Sequence, residues 1–484
     1  MIAFLPWIPL AAALVVLFSP AKNERLLKTI TLAACSLCSL SVLVYFLNFK
    51  PEGGFQFVIA RPWLPAFGIQ YKSGFDGINL TLCLLHALVS LAGAFVACAP
   101  KERLKEYLFY YLVLTGGIYG VFTSLDLFFL YVFFEMTLIP LFPMIGIWGS
   151  KNKEYGAMKL TLFITTGAVL AFFGLLLFYR EAGIHSFDLV QLAQVLKARG
   201  GFSTGFQHFV APMLIVGFGV IASLWPVHSW SPIGYAAAPT AVSMLHAGVL
   251  KKMGPYLILR VAVTFLPEGV KHAAPWLSIL AGIGIVYAGL AAIRQSDMKY
   301  MVGFSSVSHM GYVLLGIAAM NSVSLSGTVL LMFSHGVMAA CAFAAIGFLY
   351  ERTHVRNLHD FGGLAKSMPF LALSLILACL ASLGLPGFSN FVSELLVFIG
   401  AWRQFPAVVI AAVFGVLITA IYLLRAVREV CYGKPNPRWA HLKDAQGFAE
   451  RFPFILLLGA LLIAGIWPRV LLRVIEPAVG ALLS

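Results

Sequence analysis

The sequence predicts an all-α polytopic membrane protein with about fourteen transmembrane helices. Of its 484 residues, 61% are hydrophobic and only 11% are charged, whereas a soluble domain usually carries about 25% charged residues. The apolar segments also continue without alternating polarity, as residues 114–148 do. A barrel strand needs only about 10 residues of alternating polarity, while a helix needs about 20 apolar residues to cross the bilayer. These observations favour helices, whose backbone hydrogen bonds are satisfied within each segment.

Apolar windows of roughly 19 residues divide the chain into these spans. The first span lacks a basic amino-terminal region and an Ala-x-Ala-like cleavage site, so we interpret it as a helix rather than a cleaved signal peptide. Short polar breaks separate the later spans. The predicted bounds, in order, are 2–20, 28–48, 75–98, 105–122, 125–148, 157–180, 207–227, 239–262, 274–293, 298–319, 323–349, 367–399, 405–427 and 452–472.

The basic residues predict the orientation of the spans. The formal net charge is +14, but the lysines and arginines form no tract with stacking aromatics, so we expect no nucleic-acid partner. Twenty of them fall in the odd-numbered loops and nine in the even-numbered loops. The positive-inside rule therefore predicts that the odd loops face the cytoplasm or its equivalent. Both termini would lie on the opposite side of a bacterial, archaeal or organellar inner membrane.

The seventh and twelfth spans contain helix breakers. Pro226 and Pro232 interrupt the seventh, and Gly384 and Pro386 interrupt the twelfth. Membrane proteins tolerate an opened helix only where protein or a water-filled cavity satisfies the loose backbone groups, and paired breaks in two halves indicate a repeat-built transporter. The predicted organisation is an N-terminal three-helix segment (1–100), a first five-helix repeat with helices 4–8 (101–262), a second with helices 9–13 (263–432), and a loop with helix 14 (433–484).

Several ionisable residues lie where the bilayer should exclude them. Glu135, Glu394, Lys251 and Lys252 all occur inside apolar spans, and a charge at mid-bilayer costs at least about 2.5–3.5 kcal/mol, so such a residue indicates a functional site. Carboxylates, lysines and histidines can all bind and release protons. The set therefore predicts a proton-handling path. Five histidines join it, which are His86, His228, His246, His309 and His335.

Structural roles remain open for some of these residues. A buried histidine such as His86 can serve as an interhelical hydrogen-bond partner, and Glu135 and Glu394 could belong to buried ion pairs that fix helix register. Consecutive helical residues point about 100° apart, so Lys251 and Lys252 cannot face the same neighbour. The sequence shows no Walker loop, dinucleotide fingerprint, four-cysteine cluster or haem attachment pattern. We therefore expect no cofactor and no metal in this chain.

At these residues the chain resembles the antiporter-like membrane subunits of respiratory complex I, in particular those called chain M or subunit 4. The resemblance covers roughly residues 75–430, and its motifs are specific because they occur together and in order. The stretches that carry it are Phe134-Glu135-Met136, Pro226-Val227-His228-Ser229-Trp230, Ala247 to Gly254, Ser305 to Gly311, Phe333-Ser334-His335-Gly336, and Ala381 to Gly387 leading to Asn390-Phe391-Val392-Ser393-Glu394.

The resemblance implies a fourteen-helix fold with two inverted five-helix repeats and a role as one proton pump module of a redox-driven NADH:quinone oxidoreductase. Glu135 then matches the fifth-helix glutamate, Lys252 the central lysine and Glu394 the exit-side residue, with His309 and His335 linking the lysine outward. NADH, FMN, iron–sulfur clusters and quinone would bind partner membrane-complex subunits, leaving this chain a non-redox subunit of a translocase. Redox chemistry elsewhere would change the electrostatics at Glu135 and so the proton affinity of Lys252.

One departure from the family pattern concerns the seventh helix. The family usually places there a lysine that pairs with the fifth-helix glutamate, but no Lys or Arg occurs from Gln207 through Leu250, and Ile221 stands at that position. In one interpretation Lys251, an addition to the usual pattern, turns toward Glu135. In the other, water and His228 carry protons at the inlet without a lysine, or pumping is weakened.

Two further functions stay open on the sequence. The same residues fit the large subunit of a multi-subunit Na⁺/H⁺ antiporter, or its relative in a membrane-bound hydrogenase, and a non-conducting scaffold subunit is the third alternative. The spans contain no evident cage of several oxygen ligands of the kind that a hard cation such as Na⁺ would need. Protons are therefore the favoured ion.

Overall fold

The protein is an all-α polytopic membrane protein, as the sequence predicts. The structure, a computed structural model, describes residues 2–52, 54–99, 102–439 and 441–484. Within these residues, ten helices are long and apolar enough to cross a membrane. The predicted total of fourteen requires the shorter and interrupted helices to be grouped into spans, and it stays a prediction.

Before the first interruption, the described residues of the amino-terminal half form eight α-helices and one β hairpin. Several helices begin at an acidic residue: Asp76 caps one with Asn79 in a reciprocal capping box, and Asp126 and Asp188 cap two others through backbone N–H groups. The elements are α1 (Trp7–Phe18), α2 (Glu24–Asn48), β1 (Gln56–Leu64), β2 (Ile69–Phe75), α3 (Gly77–Ala97), α4 (Leu104–Thr123), α5 (Leu127–Trp148), α6 (Lys153–Ala182), α7 (Leu189–Ala198) and α8 (Thr204–Ile221).

The second half continues with shorter helices around the breaks. Between α10 and α11 the chain forms a π-helical turn over His246–Leu250, and a second π-helical turn covers Ile258–Val263. The helices are α9 (Trp230–Ala237), α10 (Thr240–Leu245), α11 (Lys251–Leu257), α12 (Pro267–Ile293), α13 (Met298–Ala319), α14 (Ser322–Thr353), α15 (Leu364–Ser367), α16 (Pro369–Ser382), α17 (Ser389–Trp402), α18 (Pro406–Val430), α19 (Gly447–Ile466) and α20 (Arg469–Leu483).

Three of the four predicted helix breakers, Pro226, Gly384 and Pro386, lie in gaps between helices. Pro232 does not: it is the third residue of α9, in the first turn, where the missing N–H group costs no helical hydrogen bond. Helix α8 ends at Ile221 and α9 begins at Trp230, so Pro226 lies in the gap. Helix α16 ends at Ser382 and α17 begins at Ser389, with Gly384 and Gly387 both at positive φ between them. Glycine adopts such φ values without the steric penalty of a Cβ atom. Each break leaves backbone carbonyls free to bind side chains.

The helices are arranged around two nearly fully buried members, α13 and α14. Helix α14 packs against α3, α10, α13, α16, α17 and α19. The outer helices α2, α6, α18 and α19 instead present large apolar side chains outward, such as Leu47, Leu162 and Ile463. In a membrane these faces meet lipid, so the polar residues of α13 and α14 lie in the interior.

Two features differ from the sequence prediction. Strands β1 and β2 form an antiparallel hairpin in a region expected to be a loop, because a two-stranded hairpin leaves too short a pattern to be seen between long apolar spans. Helix α20 follows the predicted fourteenth helix. The division into two repeats stays a prediction; its boundary at 262/263 lies in the second π-helical turn, a few residues before α12 begins at Pro267.

Candidate proton path

A buried lysine and a buried histidine make the first link of the candidate site. Lys252 lies on α11 and is completely buried, and its Nζ lies 2.8 Å from Nδ1 of His335 on α14. Nζ also donates to the carbonyl oxygen of Ala247, which belongs to the π-helical turn before α11. Such π turns are frequent at functional sites because they free backbone groups. The turn thus helps to hold the ammonium against His335.

The second link joins two histidines on the two central helices. The ring centroids of His335 and His309 are 5.1 Å apart. His309 Nδ1 lies 2.8 Å from the carbonyl oxygen of Ser305, and its Nε2 lies 3.0 Å from the carbonyl oxygen of Ser382, at the end of α16. A neutral imidazole carries one N–H and can donate to only one of these carbonyls, whereas an imidazolium can donate to both. The site is therefore shaped to accept a proton on His309.

The third link reaches the carboxylate of Glu394. Its Oε1 lies 3.6 Å from Nε2 of His309, and both side chains are almost fully buried. Glu394 belongs to α17, while the carbonyl that binds His309 belongs to α16. The break between these helices therefore brings a carbonyl and a carboxylate to the same ring nitrogen.

Unpartnered polar atoms surround this break. Among the described residues, Ser382 Oγ, Ser389 Oγ, both amide atoms of Asn390 and Oε1 of Glu394 are buried without a hydrogen-bond partner. Buried polar groups are nearly always hydrogen-bonded to protein or to ordered water. We therefore expect water at this end of the path, and water can carry a proton onward.

The other buried lysine occupies a separate pocket. Lys251 Nζ lies 3.1 Å from Oγ of Ser231 on α9 and 3.3 Å from Oγ of Ser306 on α13. The Tyr235 ring lies 5.5 Å from the same nitrogen. Lys251 and Lys252 thus point to different neighbours, as their helical spacing predicts.

Glu135 lies apart from these groups. It is half-buried on α5, where Tyr131, one turn earlier, interacts with it. Within the part of the chain that the structure describes, no lysine or arginine nitrogen lies within 4.0 Å of its carboxylate. The structure therefore does not bring Lys251 to Glu135, because the lysine points instead to serines on α9 and α13. The predicted pairing is absent from this conformation.

The remaining histidines take different positions. His228 lies at the first break with its ring 5.2 Å from that of Tyr287. His86 Nε2 lies 3.1 Å from the carbonyl oxygen of Thr115 on the neighbouring helix α4, which fits the interhelical role expected for it. His246 packs between the rings of Trp230 and Tyr235. None of the three belongs to the file that joins Lys252 to Glu394.

Several small polar residues that shape the site are not marked as functional by the sequence. Ser231, Ser306, Ser382 and Asn390 lie around the ionisable groups, but small polar residues are common and carry little signal alone. Ser231 and Ser306 lie three residues from His228 and His309, and Asn390 lies four residues from Glu394. This spacing is the available signal, since residues so spaced in a helix share a face, but no such spacing marks Ser382.

Two cations bind carbonyl oxygens at the end of α9, and the sequence does not mark them as part of the site. Lys299 Nζ lies 2.8 Å from the carbonyl oxygen of Ala238, and Arg356 donates to the carbonyl of Ala236. Positive charge near the last carbonyls of a helix is favourable because the helix dipole is negative there. These cations hold the short helix that carries Ser231 and Tyr235. Over the described residues, no three His, Cys, Asp or Glu side chains are placed to hold a metal ion.

Comparisons with known proteins identify similar sequences and similar folds. The sequence model of a family described as "NADH:quinone oxidoreductase/Mrp antiporter, TM" matches residues 124–419. NADH-quinone oxidoreductase subunit M of Rhodobacter capsulatus is 34% identical over 495 residues, covering 100% of this chain and 96% of the relative.

Two solved structures share the fold over the whole chain. A chain of respiratory complex I from Thermus thermophilus with bound NADH aligns with a TM-score of 0.89 and 27% identity, and the alignment covers 100% of both chains. A chain of the Mrp complex from Dietzia sp. DQ12-45-1b aligns with a TM-score of 0.87 and 21% identity, covering 100% of this chain and 98% of that one. At that identity the second likeness shows the fold alone.

Proposed function

We propose, because the chain belongs to the NADH:quinone oxidoreductase/Mrp antiporter transmembrane family, that it is a proton-translocating membrane subunit of a redox-driven NADH:quinone oxidoreductase. Family membership follows from the matched model and from the 34% identity to subunit M over the whole chain. The path proposed for the proton is the buried file from Lys252 through His335 and His309 to Glu394.

One observation carries this proposal: the four side chains are close enough for stepwise transfer. Lys252 Nζ and His335 Nδ1 are within hydrogen-bond distance, at 2.8 Å. The two histidine rings are 5.1 Å apart, and His309 Nε2 is 3.6 Å from Glu394 Oε1. Ionisable residues are costly inside a membrane and are retained where they form ion or proton pathways.

The transfer steps follow from the hydrogen-bond inventory of each group. The Lys252 ammonium donates a proton to Nδ1 of His335 and becomes a neutral amine. The His335 cation releases the proton on Nε2, the nitrogen without a partner among the described residues, toward His309. His309 then holds its proton between two carbonyls and passes it to the Glu394 carboxylate. The water expected at the second break would take it from there.

Glu135 is proposed as the residue that couples this file to the redox machine. With no cation within 4.0 Å among the described residues, its charge would act over a longer distance. Two unit charges about 8 Å apart interact by roughly 2 kcal/mol at an effective dielectric constant of about 20. An energy of that size corresponds to a change of more than one pKa unit. A change at Glu135 could therefore load or unload a lysine in the interior.

The same proposal assigns the redox cofactors to other subunits. NADH, FMN, iron–sulfur clusters and quinone would bind partners, and this chain would contribute the pump module alone. Its basic loops would face the cytoplasm, with both termini on the opposite side, in accordance with the positive-inside rule. The alternative of a Na⁺/H⁺ antiporter subunit has the weaker support, because the Mrp chain shares 21% identity against 34% for subunit M.

The test is the number of protons moved per electron pair by the assembled complex in vesicles. We expect Lys252→Met to assemble and to lower this number sharply, because methionine fills the space but carries no proton. Lys271→Met is the matched control, since Lys271 is exposed and pairs with Glu268 three residues earlier. An unchanged proton count in Lys252→Met would contradict the proposed path.

A further inference from the structure

We propose that Lys251 is a second proton-carrying residue, on a lateral branch that leads from the first helix break to His309. This inference rests on the proposed function and adds a route to it. The branch runs from His228 through Ser231, Lys251 and Ser306 to His309. There it joins the file from Lys252 through His335 and His309 to Glu394, which we call the axial file.

The pocket around Lys251 contains hydroxyl groups and an aromatic ring but no counter-ion. Its side chain is completely buried, and Nζ contacts Ser231 Oγ at 3.1 Å and Ser306 Oγ at 3.3 Å. Within the described residues, no carboxylate oxygen lies within 4.0 Å of this nitrogen. Lysine buried without a carboxylate is costly, and an apolar side chain would pack there at no such cost. A purely structural role therefore explains the lysine poorly.

Hydroxyl partners suit an amine that gains and loses a proton. A serine hydroxyl can both accept a hydrogen bond from an ammonium and donate one to a neutral amine. Both partners of Lys251 are of this kind, and each belongs to a different helix. The pocket can therefore accommodate both forms of the side chain without a structural change.

On the inlet side, the branch begins at the break between α8 and α9. Ser231 follows His228 by three residues, and its backbone N–H donates to the His228 carbonyl at 3.0 Å. His228 lies close enough to Lys251 to be affected by its charge. Lys159 of α6 has a similar, smaller influence on His228. His228, at the break, therefore precedes Lys251 in the branch, on the side of the predicted first repeat.

On the outlet side, the branch reaches the axial file through one helix. Ser306 and His309 are three residues apart on α13 and therefore neighbours on one helix face. His309 already receives the axial route through His335. The side chains of Lys251 and Lys252 point in different directions from α11. The branch and the axial file nevertheless both lead to His309.

The branch offers an explanation for the missing cation of the seventh helix. Ile221, the residue at the position where the resemblance expects that lysine, is the buried last residue of α8. Lys251 contacts Ser231, which is near the start of α9 on the other side of the same break. Relative to the family pattern, the lysine charge thus lies near the start of α9 instead of the end of α8. There it faces α13 rather than Glu135.

The proton balance of the branch is simple. The neutral Lys251 amine accepts a proton through the Ser231 hydroxyl, which gives up its own proton as it takes one from the side of His228. The ammonium then donates to the Ser306 hydroxyl, which releases its own proton toward His309. Each hydroxyl gains one proton and loses one, and the amine returns to its neutral form.

Four variants of the assembled, reconstituted complex test this route. We expect Lys251→Leu and Ser306→Ala each to reduce the protons moved per electron pair, because each removes one carrier. Ser308→Ala is the matched control, since Ser308 is buried on the same helix but donates to the carbonyl of Ile285. Lys251→Arg keeps the charge but cannot release a proton in a protein, so we expect it to pump as poorly as Lys251→Leu.

Each contrary result identifies which statement fails. Normal pumping by Lys251→Leu, or restored pumping by Lys251→Arg, would overturn the carrier role. A normal Ser306→Ala would overturn the route through α13. If Lys251→Leu does not assemble, Ser231→Ala and Ser306→Ala decide the matter, since each removes only a hydroxyl. If Lys252→Met loses pumping while the branch variants keep it, only this inference fails; if Lys252→Met pumps normally, the proposed function fails.

Discussion

Asp126, the residue that precedes the membrane-spanning helix α5, shows how a single carboxyl group joins two elements. Its side chain accepts hydrogen bonds from the N–H groups of Phe128 and Phe129 at the start of α5, and from the N–H of Gln70 in β2. Burial raises the pKa of Asp126 from its ordinary value of 3.8 to about 6, against the opposing effect of those N–H groups. Asp188 nearby raises it further. The junction therefore changes its charge near pH 6.

This shift predicts a pH-dependent stability that Asp126→Asn should remove. A raised folded-state pKa contributes stability that is present below the unfolded value of 3.8 and is lost as the pH rises through about 6. Between pH 5 and pH 7 the wild type should lose about 1 kcal/mol from this group. Asparagine keeps the helix cap, so the Asp126→Asn complex should melt progressively higher than the wild type over that interval.

The control for this measurement is an exposed carboxylate. Glu268 lies at the surface near the start of α12 and pairs with Lys271, so Glu268→Gln should leave the pH dependence of the melting temperature unchanged. A difference between Asp126→Asn and the wild type that stays constant from pH 5 to pH 7 would contradict the assigned protonation.

The break between α16 and α17 depends on glycine at two positions. Gly384 has φ +75° and Gly387 has φ +102°, values that other residues adopt only with strain. The two differ in their surroundings. A Cβ atom on Gly384 would lie 2.9 Å from Oε2 of Glu394, whereas a Cβ atom on Gly387 would meet no atom within 4 Å. Only Gly384 therefore bears on the position of the carboxylate.

This contrast predicts different effects from two equivalent substitutions. Gly384→Ala and Gly387→Ala should each cost about 1–2 kcal/mol of stability through backbone strain. Gly384→Ala should in addition displace the Glu394 carboxylate from His309 and lower the protons moved per electron pair. Measuring assembly and pumping for both variants separates the two effects. Equal pumping by the two variants would mean that the placement of Glu394 does not limit transfer.

The sequence predicted the helix breaks because proline and glycine act locally. Pro226 and Pro386 fall in the gaps where the structure ends one helix and begins another. The π-helical turn before Lys251 could not be predicted, since the one helix-weakening residue in His246–Leu250, Gly248, does not distinguish a π-helical turn from an α-helix. It arises from tertiary packing, and it supplies the carbonyl that binds Lys252.

The ionisable members of the site were also visible in the sequence, but their partners were not. A charge inside an apolar span is conspicuous, so Lys252, His309 and Glu394 could be named at once. Which group each one faces depends on how α11, α13 and α14 pack, and this is why the neighbour that the sequence suggests for Lys251, Glu135, differs from the serines that it contacts. Side-chain direction is decided by interhelical contacts that a single sequence does not encode locally.

The molecule as a whole separates a lipid-facing surface from a polar interior. Helices α2, α6, α18 and α19 carry large exposed apolar residues, while α13 and α14 hold histidines and serines that make no contact with the surroundings. A protein built in this way can isolate a proton path from lipid. On the proposed function, the driving force for pumping comes from partner subunits.

This division of labour predicts what accompanies the chain when it is purified from its native membrane in a mild detergent. As a subunit of a redox-driven pump, an affinity-tagged chain should bring with it flavin fluorescence, iron–sulfur absorbance and NADH oxidation by an artificial acceptor. The same chain in a cation/proton antiporter would bring only membrane subunits and no redox cofactor. A tagged Lys252→Met chain is the appropriate control, because it alters the path without altering the surface. Cofactors retained by that variant together with lost pumping would separate assembly from transport, whereas a cofactor-free wild-type complex would assign the chain to the antiporters.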